Sequence, residues 1–118
     1  MFDLDHFKSI NDTFGHDMGD LVLSKIAEVI SQNIRNTDIF ARWGGEEFMI
    51  VLPHTKIKSA FALAEKIRIQ IQEYKFSMNR QVTLSLGVTT YIAYESKEIL
   101  FKRLDEALYQ AKKTGRTK

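Results

Sequence analysis

Apolar positions recur along this chain with two periods, and the two separate its strands from its helices. Val82, Leu84, Leu86 and Val88 alternate with Thr83, Ser85 and Gly87, which is the two-residue period of a half-buried strand. Phe48 to Leu52 is a short unbroken apolar run and predicts a central strand covered on both faces. Ile39 to Trp43 forms another strand-like run, with Gly44-Gly45 between the two. A glycine pair joining two strands predicts a tight hairpin, because the primed turns require positive φ. Met1 to Leu4 reads as the end of a first strand. Three helices follow from the longer period: Leu23, Ala27, Ile30 and Ile34 share one face; so do Ala60, Leu63, Ala64, Ile67 and Ile71; so do Leu100, Leu104, Ala107, Leu108 and Ala111. A shorter helix is expected over Phe7 to Phe14, broken at Gly15, and Gly115 sits where the last helix should end.

The order is strand, helix, helix, strand, strand, helix, strand, helix. A ferredoxin-like or palm-type α+β fold accommodates it, with a largely antiparallel sheet covered by helices. In that topology the first strand runs antiparallel to the second strand of the hairpin. Asp3 and Asp5 then lie close to Glu46 and Glu47, although more than 40 positions separate them.

Length and composition narrow the picture. The 118 residues fit one compact domain, taken as 1–118. No apolar run approaches the ~18 residues of a membrane span, and no basic-then-apolar leader opens the chain, so a cytoplasmic location is expected. Cysteine is absent, which removes disulfide and thiolate chemistry. The net charge of +2 does not suit a polybasic nucleic-acid binder, so an anionic ligand must be held by a local cluster.

Several clusters carry candidate chemistry, each with a plainer reading beside it. Carboxylates gathered at one sheet edge are costly unless a cation joins them, and hard oxygen ligands completed by phosphate are what Mg²⁺ uses. Asp3 and Asp5 share a face of their strand, while Glu46 and Glu47 point to opposite sides of theirs. The same acids also suit solvated turns. Asn11 offers a donor and an acceptor and Asp20 only acceptors, a set able to read the edge of guanine. Alternatively, Asp17 or Asp20 caps the following helix, and His16 is a hydrogen-bonded turn residue. Lys112 and Arg116 are four apart and could clamp a triphosphate, or offset the dipole of the last helix. Arg35 and Asp38 have the spacing of a turn salt bridge. Phe40 and Trp43 read as packing residues.

Taken together these segments resemble the GGDEF family. The matching stretches are Asp3-Leu4-Asp5-His6-Phe7-Lys8, Ile10-Asn11-Asp12 through Gly15-His16, Gly19-Asp20, Gly44 to Phe48, Ser85 to Val88, and Ala107 to Lys112 with Gly115-Arg116. The resemblance implies a diguanylate cyclase that condenses two GTP into cyclic dimeric GMP and releases pyrophosphate. It further implies that Asp3, the Leu4 carbonyl and Glu46 hold Mg²⁺ (or Mn²⁺), with Glu47 assisting. Glu46 would deprotonate the attacking hydroxyl and Lys8 stabilise transition-state charge. Asn11 and Asp20 would recognise guanine, and Phe7, Lys8 and His16 would line the substrate's path. Lys112 and Arg116 would bind the terminal phosphates. Arg35-Asn36-Thr37-Asp38 matches the family's RxxD inhibitory site for the product. One site holds one GTP, so a homodimer is implied, with an upstream sensory or regulatory domain in a longer parent that could be membrane-tethered. The alternative is a catalytically silent domain that binds GTP or cyclic dimeric GMP as a regulatory module; a spoiled hairpin motif would favour it, and here the motif is intact. Two departures stand out. The family's usual opening helix, its Leu-Thr-Gly-Leu-type segment and most of the first strand are missing, so the central strand should lose ladder bonds and core cover. Thr117 stands where the family often has Asn.

Overall fold

The computed structural model describes residues 1–113. Its elements are β1 (Phe2–Leu4), α1 (Phe7–Phe14), α2 (His16–Asn33), β2 (Ile39–Arg42), β3 (Glu47–Val51), α3 (Ile57–Glu73), β4 (Leu84–Leu86) and α4 (Lys97–Lys113). The expected order is present. The four strands lie in the order β2-β3-β1-β4, and every neighbouring pair is antiparallel. The fold is the expected α+β type. The expected helix end at Gly115 lies outside the described residues.

Alternation along β1 decides what each side of the sheet carries. Phe2 and Leu4 join Phe48, Leu84 and Leu86 in one buried cluster with Ile26 and Ile30 of α2 and Ile67 and Ile71 of α3. Successive residues of a strand point to opposite faces, so Asp3 and Asp5 face the side covered by α4. That helix buries Leu104, Leu108 and Ala111. It approaches the chain just past β4 very closely: a Cβ on Gly87 would lie 2.9 Å from the Leu108 nitrogen and 3.0 Å from the Leu104 carbonyl oxygen. Arg103 pins the preceding loop to the same helix, donating to Glu95 at 2.6 Å, to Thr89 Oγ1 at 3.1 Å and to the Thr90 carbonyl at 2.6 Å.

Three expectations need correction. Gly44 and Gly45 do not adopt positive φ; among the described glycines Gly15 alone does, at φ 93°. The hairpin is therefore not a two-residue primed turn. Residues 43–46 form a wider tip, closed by the Trp43 and Gly44 nitrogens, which both donate to the Glu47 carbonyl at 2.8 and 3.3 Å. The run from Phe48 to Leu52 is not covered on both faces throughout, since Val51 is exposed. β1 pairs with β3 at Phe2↔Phe48 and Asp3↔Glu47. A cavity of about 400 Å³ lies beside β3, lined among others by Met1, Ile50, Leu63, Ile67, Val88 and Leu104. Finally, β4 is shorter than the alternating stretch, which continues past it as irregular chain.

Candidate active site

β1 ends beside the hairpin tip. Asp3 is in register with Glu47 on one side and Ser85 on the other. The Leu4 nitrogen donates to the Glu46 carbonyl at 3.1 Å. The expected meeting of the first strand with the two glutamates is thus observed. Phe40 stacks on Phe48 at 5.8 Å and Trp43 meets Phe101 edge-on at 5.3 Å, so both pack as expected, although Trp43 remains half open to solvent.

Asp3 is buried, and the Lys112 ammonium of α4 forms an ion pair with its Oδ2. Its Oδ1 is buried with no hydrogen-bond partner. Burial pushes the Glu46 carboxyl above its ordinary pKa, the charge on Asp3 adds to this, and Glu47 and Asp5 add further; Lys112 acts against them. The edge therefore carries more negative charge than its lysine offsets. A hard divalent cation would satisfy the orphan oxygen and relieve Glu46, so the donors Asp3, Glu46 and Glu47 suit Mg²⁺ with ligand or water oxygens completing its shell. Among the described residues no three acidic or imidazole side chains already converge into a finished cage. Asp5 differs from Asp3. It accepts from Thr83 Oγ1 at 2.8 Å and Ser85 Oγ at 2.7 Å, and its nitrogen donates to the Thr83 carbonyl at 3.0 Å. Its role is to fasten the strand end to β4.

His6, in the left-handed region at φ 58°, turns the chain from β1 into α1, which has no side-chain cap at its start. Phe7 and the exposed Lys8 open that helix. Arg80, which the sequence reading passed over, donates to Ser9 Oγ at 3.1 Å and brings a second cation to this helix. Nothing in the polar stretch around Arg80 signals that contact. Gly15 ends α1 and starts α2 at once: its nitrogen donates to the Asn11 carbonyl at 2.9 Å, and it is itself the N-cap of α2. The suggested capping by Asp17 or Asp20 is therefore incorrect. α2 begins at His16, which is an exposed helical residue rather than a turn residue, and Asp17 and Asp20 lie within the helix. Asn11 turns its carboxamide inward with a buried, unpartnered Oδ1 that rests against Gly19, the neighbour of Asp20. Asn11 and Asp20 thus belong to one helix junction.

Lys112 stands at the sheet edge beside Asp3, whereas Arg116 lies outside the described residues. Arg35 and Asp38 sit before β2, at the opposite end of the hairpin from its tip. The Arg35 Nη2 donates to Asp38 Oδ1 at 3.0 Å, to the Pro53 carbonyl at 3.2 Å and to Thr55 Oγ1 at 2.8 Å. The hydrogen bond between them raises the Arg35 pKa and lowers that of Asp38. Arg42 holds the hairpin tip, donating to the carbonyls of Gly44 at 3.3 Å and Gly45 at 2.6 Å. The sequence reading missed this residue too, and its position just before the glycines is the signal that could have found it.

Comparison with known proteins bears on this arrangement. The family model described as "Diguanylate cyclase, GGDEF domain" matches residues 1–118. Diguanylate cyclase A of Treponema denticola is 43% identical over 122 residues, covering 100% of this chain and 33% of that protein. The active GGEEF domain of a diguanylate cyclase from Vibrio cholerae superposes with a TM-score of 0.90 at 42% identity, over 98% of this chain and 75% of that one. The GGDEF domain of DgcB from Caulobacter crescentus, solved in complex with c-di-GMP, gives 0.93 at 34% identity, over 99% of this chain and 72% of that one. The chain spans about a third or less of the curated relatives it matches.

Proposed function

The chain belongs to the GGDEF family of diguanylate cyclase domains, and on that premise we propose that it condenses two GTP molecules into cyclic dimeric GMP. The observation that carries the reading is the sheet edge itself, where Asp3 is in register with Glu47 and Leu4 is bonded to Glu46. In each of two steps the ribose 3′-hydroxyl of one GTP attacks the α-phosphorus of the other. A new phosphodiester bond forms, the bond to pyrophosphate breaks, and the hydroxyl proton passes to a base.

Each of the chain's residues has a task in that reading. Glu46 accepts the proton; a carboxyl held above its ordinary pKa is the better base near neutral pH. Asp3, the Leu4 carbonyl and Glu46 hold Mg²⁺ or Mn²⁺, with Glu47 assisting. Such an ion, when bound, lowers the cost of forming an alkoxide and of charge on the phosphates. Lys8 stabilises charge on the phosphoryl group in flight, and Lys112 and Arg116 take the terminal phosphates. Phe7 and His16 border the substrate's path. Lys112 would exchange its ion pair with Asp3 for one with phosphate as the cation arrives. Asn11 and Asp20 read guanine. One such site holds one GTP, so the working species is a homodimer with two sites face to face.

Arg35 and Asp38 form the product-inhibition site in this proposal. The support is an exposed guanidinium already oriented by three partners. Arg35→Ala should weaken cyclic dimeric GMP binding at least 10-fold by calorimetry, the loss expected for removing a charge-assisted pair; unchanged binding removes the idea. The domain is read as the catalytic unit of a longer protein with a sensory or regulatory part, working in the cytoplasm. No described helix is long and apolar enough to cross a membrane. Incubation with GTP and Mg²⁺ tests the main proposal. Cyclic dimeric GMP should accumulate and disappear in Glu46→Gln, whereas GTP binding without product would favour the silent regulatory module.

A further inference from the structure

We propose that Arg42 is a positioning residue for the catalytic edge: its guanidinium fastens the two-glycine tip of the hairpin from behind, so that Glu46 and Glu47 are held in place before any cation or nucleotide arrives. The inference rests on the reading of that edge as the metal and reaction centre, and adds to it a residue that touches no ligand.

The tip glycines have no packing to hold them. A Cβ built on Gly45 would meet nothing within 4 Å, and the three nearest neighbours of one built on Gly44 are all atoms of Glu47. Glycine also loses more freedom on ordering than any other residue. Hydrogen bonds must therefore hold this tip. The Trp43 and Gly44 nitrogens close its base by donating to the Glu47 carbonyl. The carbonyls of Gly44 and Gly45 are taken by one side chain, since Arg42 donates from Nε to the first at 3.3 Å and from Nη2 to the second at 2.6 Å. Two nitrogens of one rigid fork meet two successive carbonyls, which the single ammonium of a lysine cannot match.

The register explains why Arg42 can do this without blocking the site. Arg42 stands opposite Phe48 and leaves the sheet on the side of the main core. Glu47 stands opposite Asp3 and leaves on the other side. The guanidinium thus grips the tip from the back and keeps the front of the carboxylates open. Two glutamates follow Arg42 closely in sequence, yet among the described residues it forms no ion pair. Its donors go to the main chain instead. Gly45 directly precedes Glu46, and a Cβ on Gly44 would lie 3.1 Å from Glu47 Oε1. A tip that moves carries both acids with it.

Three measurements on wild type, Arg42→Met and Arg42→Lys test this. The first is ¹⁵N relaxation of the metal-free protein. Order parameters at Gly44, Gly45 and Glu46 should stand near about 0.85 in wild type and fall below about 0.6 in Arg42→Met, while thermal unfolding stays within a few degrees. The second is Mn²⁺ affinity, read from the electron paramagnetic resonance of the free ion. The third is steady-state formation of cyclic dimeric GMP from GTP. Arg42→Met should lose roughly 10- to 100-fold in Mn²⁺ affinity and in kcat, the range for partners that orient metal ligands, with KM for GTP changed less than kcat. Arg42→Lys keeps the charge but not the fork, and should recover only a minor part of the loss. A tip as ordered in Arg42→Met as in wild type would overturn the proposal, as would a wild-type tip that is already mobile. So would a disordered tip with unchanged Mn²⁺ affinity, or full recovery by lysine, which would make charge rather than the fork the cause. A wild-type protein that binds Mn²⁺ but forms no product would refute the cyclase reading, and the first two measurements would still decide the role of Arg42.

Discussion

Removing the charge from Lys112 probes the sheet edge most directly. Asp3 and Lys112 form an ion pair whose side chains are 8% and 34% exposed. Lys112→Met keeps most of the stem, so the packing of this part of α4 changes little while the ammonium disappears. Removing one partner of a fully buried pair costs about 3–5 kcal/mol, because the other charge is left uncompensated. Lys112 is a third exposed, and water reaching it screens the interaction, which lowers the expectation to about 1–3 kcal/mol. Urea unfolding at pH 7 in the presence of EDTA reads this as a midpoint lowered by roughly 0.5–1.5 M, for a slope of about 2 kcal/mol per molar. Two controls separate charge from packing. In an Asp3→Asn background the same substitution should cost less than about 0.5 kcal/mol, since no carboxylate is stranded. Millimolar Mg²⁺ should restore part of the loss in Lys112→Met, because a ligand of the native state alone raises stability, and should do little in the double variant. An unchanged midpoint in Lys112→Met, or an equal loss in both backgrounds, would refute the reasoning.

The helices and the order of the strands were legible because each rests on a period within one segment. The meeting of Asp3 with Glu47 was legible at one remove: given the antiparallel topology, no other register brings the strand end to the hairpin. What escaped depends on contacts that leave no periodic trace. Gly44-Gly45 suggested positive φ, but Arg42 and the Glu47 carbonyl hold a wider tip without it. Asp17 and Asp20 looked like caps, but Gly15 at φ 93° both terminates α1 and begins α2, moving the start of α2 ahead of either acid. The acids of β1 were grouped together, yet hydroxyls of Thr83 and Ser85 satisfy Asp5 while Asp3 keeps an orphan oxygen. Lys112 was read as a phosphate ligand from the family resemblance, its spacing to Arg116 leaving a helix-dipole role open. Its pairing with Asp3, 109 positions away, follows from α4 lying on the face opposite the main core.

Two further outcomes are expected. Gly87→Ala places a carbon 2.9 Å from the Leu108 nitrogen and 3.0 Å from the Leu104 carbonyl, main-chain atoms that yield only if α4 moves. The cost should be about 1–3 kcal/mol, read in thermal unfolding as a midpoint lowered by roughly 4–12 °C; an unchanged midpoint contradicts the close approach. Glu46→Gln should instead stabilise the protein when divalent cations are absent. Burial and the neighbouring Asp3 charge raise the Glu46 carboxyl above its ordinary value in the folded state. As pH rises through the usual carboxylate range, the unfolded chain therefore gives up this proton first, and the folded state loses stability until its own carboxyl ionises. Glutamine carries no such proton, so the variant should match wild type below about pH 4 and exceed it at pH 7, with urea midpoints at the two pH values as the measurement. Mg²⁺ should narrow or reverse the difference at pH 7, since wild type alone gains the full ligand set. A variant less stable than wild type at pH 7 without metal would mean that Glu46 is held by a favourable partner, and the excess negative charge assigned to this edge would be wrong.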